Sequence, residues 1–168
     1  MSILKRNYLK CFVLFLSVGV MSCKSTSRLH SYTDNSFTKA SYKTVIQLID
    51  EAKTYLGITY KAGGTDYRGL DCSGLVFIAF KKINISLPRK SIDMSKSGRI
   101  ISFNDVRKGD LLFFKTNNKL EINHVGLVTD VDDDIKFIHT SNQLGVIISS
   151  TKEAYYAKTL VQVNRIID

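Results

Sequence analysis

Three side chains of this sequence have types and positions that suit thiol chemistry. Cys72 follows a glycine-rich segment, at the predicted start of a helix whose free backbone N–H groups can lower a thiol pKa and bind an oxyanion. His124 begins one predicted strand and His139 ends another. A nucleophile, a base and a group that orients the base form the general arrangement of covalent catalysis. From its position alone, Cys72 fits a buried structural cysteine equally well, and each histidine alone is more often structural.

The cysteine count strengthens the catalytic interpretation of Cys72. The chain contains three cysteines, of which Cys11 lies within a predicted export signal and Cys23 directly follows it. Cys72 therefore has no disulfide partner in the mature domain. A free thiol is a liability in the oxidising environment of an exported protein, so a chemical role would explain its presence.

The first 22 residues have the pattern of an export signal. Lys5, Arg6 and Lys10 accompany an apolar run that is too short to span a bilayer well, and a small residue precedes Cys23. The segment VMSC that ends at Cys23 resembles a lipobox, in which the cysteine receives lipid and becomes the mature N-terminus. We therefore predict a lipoprotein signal at 1–22 and a lipidated Cys23 that anchors the protein to a membrane. A plain cleaved signal and an uncleaved N-terminal anchor are the alternatives.

The rest of the chain divides into a tether and one domain. Residues 23–41 are rich in Ser, Thr and Lys and predict a flexible tether, whereas apolar periodicity begins at 42. Two helical segments, at about 42–56 and 71–83, precede strand-like segments separated by turn signals. Helices followed by strands predict an α+β domain over 42–168, with the sheet packed against the second helix. The predicted strands are 111–115, 124–131, 136–139, 146–149 and 160–166.

Composition and charge bear on the partners of the protein. The chain has 168 residues, of which 44% are hydrophobic and 23% charged, as expected for one soluble globular domain. Its net charge is +9, and removal of 1–22 takes away three positive charges and no acidic residue. The positive charge that remains suits an anionic polymer or a lipid surface. Because the sequence has no basic stripe with interleaved aromatic residues, we do not expect it to bind nucleic acid.

The sequence does not predict a metal site or a cofactor. Cys72, His124 and His139 could supply three zinc ligands, but no two of them have the close spacing of a typical zinc motif. The segment 130–134 begins like a calcium loop, yet Ile135 stands where that loop needs glycine. We therefore expect a hairpin turn at 130–134 and a site without metal.

Six short segments follow one another along the predicted domain, namely 60–64 (YKAGG), 71–76 (DCSGLV), 87–89 (LPR), 108–114 (KGDLLFF), 123–128 (NHVGLV) and 137–141 (FIHTS). Together they resemble the NlpC family of papain-like cell-wall endopeptidases, and most closely its Spr-type murein endopeptidases, which are lipoproteins of the outer membrane. The resemblance runs in order over about 45–166 with compatible spacing. It implies a papain-like NlpC fold, with N-terminal helices packed on a five- to six-stranded, mostly antiparallel sheet.

The resemblance also implies roles for four residues in catalysis. Cys72 would be the nucleophile, and His124 would be the general base. His139 would orient His124, and the hydroxyl of Tyr60 would lie near the oxyanion, beside the backbone N–H of Cys72.

Two further positions match a substrate-binding pair of the family. In some relatives, the residues at Asp71 and Ser73 bind the free amine of a trimmed stem peptide. Asp and Ser also cap helices readily, and the two roles are compatible. One position departs from the family pattern, because Met94 stands where many relatives carry glutamine.

The implied function is hydrolysis of peptidoglycan stem peptides through an acyl-enzyme. The bond is the γ-D-glutamyl–diaminopimelate bond in most of the family and the diaminopimelate–D-alanine cross-link in Spr-type enzymes. The expected partners are peptidoglycan and, through the lipid, a membrane of the cell envelope, with the outer membrane facing the periplasm as the expected location. We expect a monomer. The alternatives are an acyltransferase or effector amidase with the same triad, and a catalytically inactive wall-binding module.

Overall fold

The structure is a computed structural model that describes residues 38–168. The predicted signal, Cys23 and nearly all of the predicted tether lie outside the described residues. Helix α1 begins at Lys39, where the side chain of Thr38 accepts a hydrogen bond from the N–H of Ser41. Residues 39–41, which the sequence assigned to the tether, are therefore the first residues of α1, because Thr38 supplies the N-cap that starts a helix there.

The element order is helices first and strands afterwards, as the sequence predicted. Two small elements precede the sheet, namely a two-residue hairpin in the glycine-rich segment and a short helix after Arg89. In chain order the elements are α1 (Lys39–Lys53), β1 (Thr65–Asp66), β2 (Gly69–Leu70), α2 (Cys72–Lys82), α3 (Ser91–Met94), β3 (Arg99–Ile100), a 3₁₀ turn (Phe103–Asp105), β4 (Leu111–Phe114), β5 (His124–Asp130), β6 (Lys136–Ser141), β7 (Gly145–Ser150), α4 (Ala154–Thr159) and β8 (Leu160–Arg165).

Six of the strands form one antiparallel sheet in the order β3-β8-β4-β5-β6-β7. The five strands predicted from the sequence are all present, and β3 adds a short edge strand that pairs Arg99 with Arg165. The chain therefore has the predicted α+β fold with a six-stranded sheet. Among residues 38–168, no helix is both long and apolar enough to cross a bilayer.

The sheet is covered on both faces, which explains why β4 is apolar throughout. Leu111 and Phe113 pack with the helices α1 and α2, whereas Leu112 and Phe114 face a second apolar cluster that includes Phe137. Side chains alternate between the faces of a strand, so the run LLFF is buried on both sides. The sheet thus provides a rigid support for the residues at the start of β5 and the end of β6.

Candidate active site

Cys72 is the first residue of α2, and the residue before it caps the helix. Asp71 has an extended backbone, and its Oδ1 accepts a hydrogen bond of 2.6 Å from the N–H of Gly74. The helix is fixed on the sheet by fully buried side chains, including Leu75 and Phe80. The sequence therefore places Cys72 where it was predicted, at a capped helix N-terminus.

The carboxylate of Asp71 is held by an arginine and by two backbone N–H groups. Arg89 donates from Nη1 to Oδ1 at 2.9 Å and from Nη2 to Oδ2 at 2.8 Å. Gly63 donates its N–H to Oδ2 at 2.8 Å. Burial acts to raise the pKa of Asp71, but the hydrogen bonds from Arg89, Gly74 and Gly63 outweigh it and hold this pKa below its ordinary value. Asp71 is therefore an ionised cap at neutral pH.

Ser73 belongs to the same network. Its hydroxyl donates to Asp71 Oδ1 at 3.2 Å and accepts from Arg89 Nη1 at 2.8 Å. Of the two roles that the sequence left open at these positions, Asp71 performs the capping role. Ser73 stiffens the cap through Arg89 and does not cap the helix itself.

Glycines allow the loop before α2 to lie directly against the first turn of the helix. A Cβ atom at Gly74 would overlap the carbonyl oxygen of Gly64, so this approach requires glycine at 74. The same carbonyl accepts a hydrogen bond of 3.2 Å from Arg89 Nη2. The glycine-rich segment therefore packs against the helix that carries Cys72, while Arg89 ties the two together.

The Cys72 thiol is largely shielded from water. Its Sγ lies 4.0 Å from the backbone carbonyl oxygen of Asn123, which accepts its weak hydrogen bond. Burial raises the pKa of Cys72 above its ordinary value, although the backbone N–H groups of Val125, Ser73 and Cys72 itself act in the opposite direction. The lowered thiol pKa that the helix terminus suggested is therefore wrong, because desolvation outweighs the N–H groups.

His124 and His139 are direct hydrogen-bond partners. Nε2 of His124 lies 3.1 Å from Nδ1 of His139, and the two rings are nearly perpendicular at 81°. Burial lowers the pKa of His124 to about 3, and the neighbouring His139 adds to this effect. Burial also lowers the pKa of His139 to about 4. Both imidazoles are therefore neutral near pH 7, and Nδ1 is the ring nitrogen of His124 that His139 leaves free.

Tyr156 extends this pair and was not singled out from the sequence. Its hydroxyl lies 3.1 Å from Nε2 of His139. The ring packs edge-on against Phe114 and Phe137, with centroid distances of 5.6 and 5.0 Å. Burial raises the pKa of Tyr156, so the hydroxyl stays protonated. Tyr156 lies on the short helix α4, which has too few residues to show a helical period in the sequence.

Asn123 fixes the turn that leads into His124. Its Oδ1 accepts the N–H of Thr116 at 2.8 Å, and its Nδ2 donates to the Thr116 carbonyl at 3.3 Å. These bonds close the connection between β4 and β5 immediately before His124. The side chain of Asn123 thus positions the backbone from which His124 projects. The backbone carbonyl oxygen of Asn123 faces Cys72.

Two adjoining cavities meet at His124. One has a volume of about 290 Å³ and is lined by Cys72, His124 and Tyr60, together with Asp71 and Ser73. The other has a volume of about 400 Å³ and is lined by His124, together with His139 and Tyr156. All six residues predicted for catalysis or substrate binding within the described chain therefore line these two cavities.

Tyr60 and Met94 differ in their relation to this cleft. Tyr60 forms an isolated bridge with Leu70 and is 39% exposed, so its ring is accessible from the Cys72 cavity. Met94 has no exposed surface and packs in the core beside the helices. The side chain at 94 therefore contributes to packing and lines neither of the two cavities. Within residues 38–168, no cluster of His, Cys, Asp and Glu side chains could hold a metal ion.

The cleft combines a thiol, a neutral imidazole and hydrogen-bond donors in one place. The imidazole of His124 can take a proton at Nδ1, and the N–H groups of the α2 N-terminus can stabilise negative charge that develops nearby. A helix-borne thiol opposite histidines on an antiparallel sheet defines the papain-like class of cysteine peptidases.

The comparisons with known proteins agree with this class. Residues 57–165 match the model of the NlpC/P60 family, and the chain belongs to that family and is a cysteine-type peptidase. A probable endopeptidase of Haemophilus influenzae is 36% identical over 123 residues, which cover 73% of this chain and 74% of that protein. The Escherichia coli murein DD-endopeptidase MepS/murein LD-carboxypeptidase is 31% identical over 122 residues, which cover 72% of this chain and 62% of that protein.

A solved structure supports the same assignment of fold. The crystal structure of an NlpC/P60 family protein from Bacillus cereus superposes with a TM-score of 0.67 and 28% sequence identity. The superposition covers 74% of this chain and 40% of that protein. The present chain therefore corresponds to less than half of the larger protein.

Proposed function

We propose that this protein hydrolyses stem peptides of peptidoglycan, with Cys72 as nucleophile and His124 as general base. The observation that carries the proposal is that Cys72, on a capped helix N-terminus, and His124, which is bonded to His139, line one cavity. The murein endopeptidase named among the relatives supports peptidoglycan as the substrate.

The first step is proton transfer coupled to attack. Because burial raises the pKa of Cys72 and lowers that of His124, the resting pair is a thiol and a neutral imidazole. As the sulfur attacks the carbonyl carbon of the scissile amide, Nδ1 of His124 takes the thiol proton. The backbone N–H groups at the start of α2 and the hydroxyl of Tyr60 stabilise the oxyanion that forms.

The second half of the reaction returns the enzyme to its starting state. The protonated His124 gives its proton to the nitrogen of the leaving amine, and the carbon–nitrogen bond breaks to leave a thioester on Cys72. His124 then takes a proton from water as the water attacks the thioester. The thiolate leaves and recovers the proton, and the product carries a new carboxyl group.

The network around Asp71 bears on which bond is cut. A carboxylate offers about four lone-pair sites, and Asp71 already accepts from Arg89, Ser73, Gly63 and Gly74. This leaves little capacity for the free amine of a trimmed stem peptide. We therefore favour the diaminopimelate–D-alanine cross-link over the γ-D-glutamyl–diaminopimelate bond.

Digestion of purified peptidoglycan tests the function and the bond together. Released fragments are identified by mass for the wild type, Cys72→Ser and His124→Ala, with the fold of each variant checked by circular dichroism. We expect the wild type to convert cross-linked dimers into monomers and both variants to release nothing. Fragments that start at diaminopimelate would show that the bond assignment is wrong, while cleavage by folded Cys72→Ser would overturn the mechanism.

A lipid at Cys23 would keep this activity at a membrane of the cell envelope. The wild-type protein should fractionate with membranes, and Cys23→Ser should be released while its peptidoglycan hydrolysis in solution is unchanged. Equal membrane association of the two forms would remove lipidation from the account.

A further inference from the structure

A row of three side chains leads away from the Cys72 cavity. Tyr156 on α4 contacts Nε2 of His139 on β6, and Nδ1 of His139 contacts Nε2 of His124 on β5, with both distances at 3.1 Å. We call this row the Tyr156–His139–His124 relay. His139 is only 1% exposed, so no water competes freely for either of its nitrogens.

The position of one hydrogen in this relay decides whether His124 can act as a base. A neutral imidazole carries a single N–H, so each ring has two possible tautomers. To take the Cys72 proton at Nδ1, His124 must carry its own hydrogen on Nε2 and donate it to Nδ1 of His139. His139 must then carry its hydrogen on Nε2, where it points to the oxygen of Tyr156.

The other tautomer blocks the reaction. If His139 carried its hydrogen on Nδ1, it would donate to Nε2 of His124. His124 would then hold its hydrogen on Nδ1, which is the nitrogen that has to receive the thiol proton. The same residues at the same distances would form an inactive site, so something must select between the tautomers.

The Tyr156 hydroxyl lies at hydrogen-bond distance from Nε2 of His139, and edge-on packing against Phe114 and Phe137 fixes its ring there. A phenolic oxygen can accept the hydrogen that the active tautomer of His139 carries on Nε2. Without this acceptor, the active tautomer would leave a buried N–H group without a partner, which costs free energy. The contact therefore stabilises the tautomer of His139 that the proposed Cys72–His124 chemistry requires.

We propose that Tyr156 is a positioning residue that selects the Nε2–H tautomer of His139 and thereby keeps Nδ1 of His124 free for the Cys72 proton. The inference rests on the proposed Cys72–His124 chemistry and not on the identity of the substrate. It adds a fourth side chain to the site that the sequence did not indicate.

Removal of one oxygen atom tests the proposal in the full-length protein. Tyr156→Phe keeps the ring packing and removes the acceptor, so kcat should fall roughly tenfold while KM stays the same. Tyr55→Phe is the matched control, because it removes a hydroxyl that bonds Glu51 at 3.0 Å in the core and outside both cavities. Tyr55→Phe should leave kcat and KM at wild-type values.

A double substitution separates tautomer selection from simple structural support. His139→Asn puts an amide oxygen near the place of Nδ1, and an amide has no tautomers to select. In that background, Tyr156→Phe should change kcat less than twofold. An equal loss from Tyr156→Phe in both backgrounds would mean that the tyrosine only supports the fold, and the proposal would fail.

Two measurements that need no peptidoglycan keep this test independent of the proposed substrate. The ¹⁵N shifts of the histidine side chains should show hydrogen on Nε2 of His139 in the wild type and a mixture of tautomers in Tyr156→Phe. Iodoacetamide should also modify Cys72 more slowly in Tyr156→Phe, as read from the tryptic peptide 69–81. Unchanged tautomers would overturn the proposal. If both measurements change as expected but the wild type cuts no peptidoglycan, the relay stands and the substrate assignment fails.

Discussion

Two arginine–aspartate pairs, each joined by two hydrogen bonds, hold different parts of this molecule. Arg165 and Asp110 make two hydrogen bonds of 2.9 Å, and their side chains are 4% and 2% exposed. Arg89 and Asp71 also make two bonds, of 2.9 and 2.8 Å, but are 33% and 16% exposed. The first pair joins the end of β8 to the turn before β4, and the second joins the segment before α3 to the N-cap of the helix that carries Cys72. Burial therefore distinguishes a pair that supports the fold from one that supports the site.

The different surroundings of the two pairs explain this division. Asp110 also accepts the N–H of Arg107, and Arg165 also donates to the carbonyl of Asp105, so the buried pair closes a loop of the backbone. Around Asp71, the additional partners are Ser73, Gly63 and Gly74, which all adjoin the cleft. Loss of the first pair should therefore affect the whole domain, and loss of the second should affect the presentation of Cys72.

The largest effect expected of a single substitution follows from breaking the buried pair of Arg165 and Asp110. Asp110→Asn removes the buried carboxylate charge that accepts two hydrogen bonds from Arg165, which should lower the free energy of unfolding by about 3–5 kcal/mol. Urea denaturation followed by circular dichroism measures the change. The activity of the molecules that remain folded should stay within twofold of the wild type. A stable but inactive Asp110→Asn protein would show that the buried pair supports the site and not the fold.

Acid should weaken the domain through its buried histidines. The pKa values of His124 and His139 are lowered from 6.5 to about 3 and about 4, so the unfolded chain binds their protons first as the pH falls. The free energy of unfolding should therefore decrease between pH 6.5 and 4, by up to about 1.4 kcal/mol per pH unit for each histidine. His139→Asn should reduce the slope in denaturation curves measured across this range. An unchanged slope in this variant would show that other groups control the acid sensitivity.

A smaller effect on stability is expected at the partly exposed pair of Arg89 and Asp71. Arg89→Met should lower the free energy of unfolding by only about 1–2 kcal/mol, since solvent screens the pair and Asp71 still caps α2 by accepting from the N–H of Gly74. Hydrolysis should nevertheless fall by roughly tenfold or more, because the loop at Gly64 and the start of α2 are no longer tied together.

The exposed pair of Arg68 and Asp66 provides the control with the smallest effect. Its side chains are 82% and 45% exposed, although the two bond as closely as the other pairs. Arg68→Met should leave both the activity and the free energy of unfolding at their wild-type values, because solvent screens so exposed a pair. If Arg68→Met lowers the hydrolysis rate as much as Arg89→Met does, the loss of activity comes from the change in surface charge and not from the lost tie between the Gly64 loop and the start of α2.

The sequence predicted which elements carry Cys72 and His124, but not the pKa of the thiol or the contacts that depend on tertiary packing. Strand-like segments separated by turn signals predicted all five long strands, and the DCSG and NHVG segments predicted that Cys72 and His124 lie on facing elements. Tyr156 could not be predicted, because its contact with His139 depends on how the short helix α4 packs on the sheet. The raised pKa of Cys72 was missed for a similar reason, since burial is set by the tertiary structure.

Stepwise modification of Cys72 tests the central claim most directly. Samples of the full-length protein are treated with iodoacetamide for increasing times, and each is assayed for peptidoglycan fragments and for the modified fraction of peptide 69–81. If Cys72 is the nucleophile, activity should fall in proportion to the modified fraction and reach zero when every Cys72 is alkylated. Hydrolysis that persists after complete modification of Cys72 would contradict the assignment of this thiol as the nucleophile.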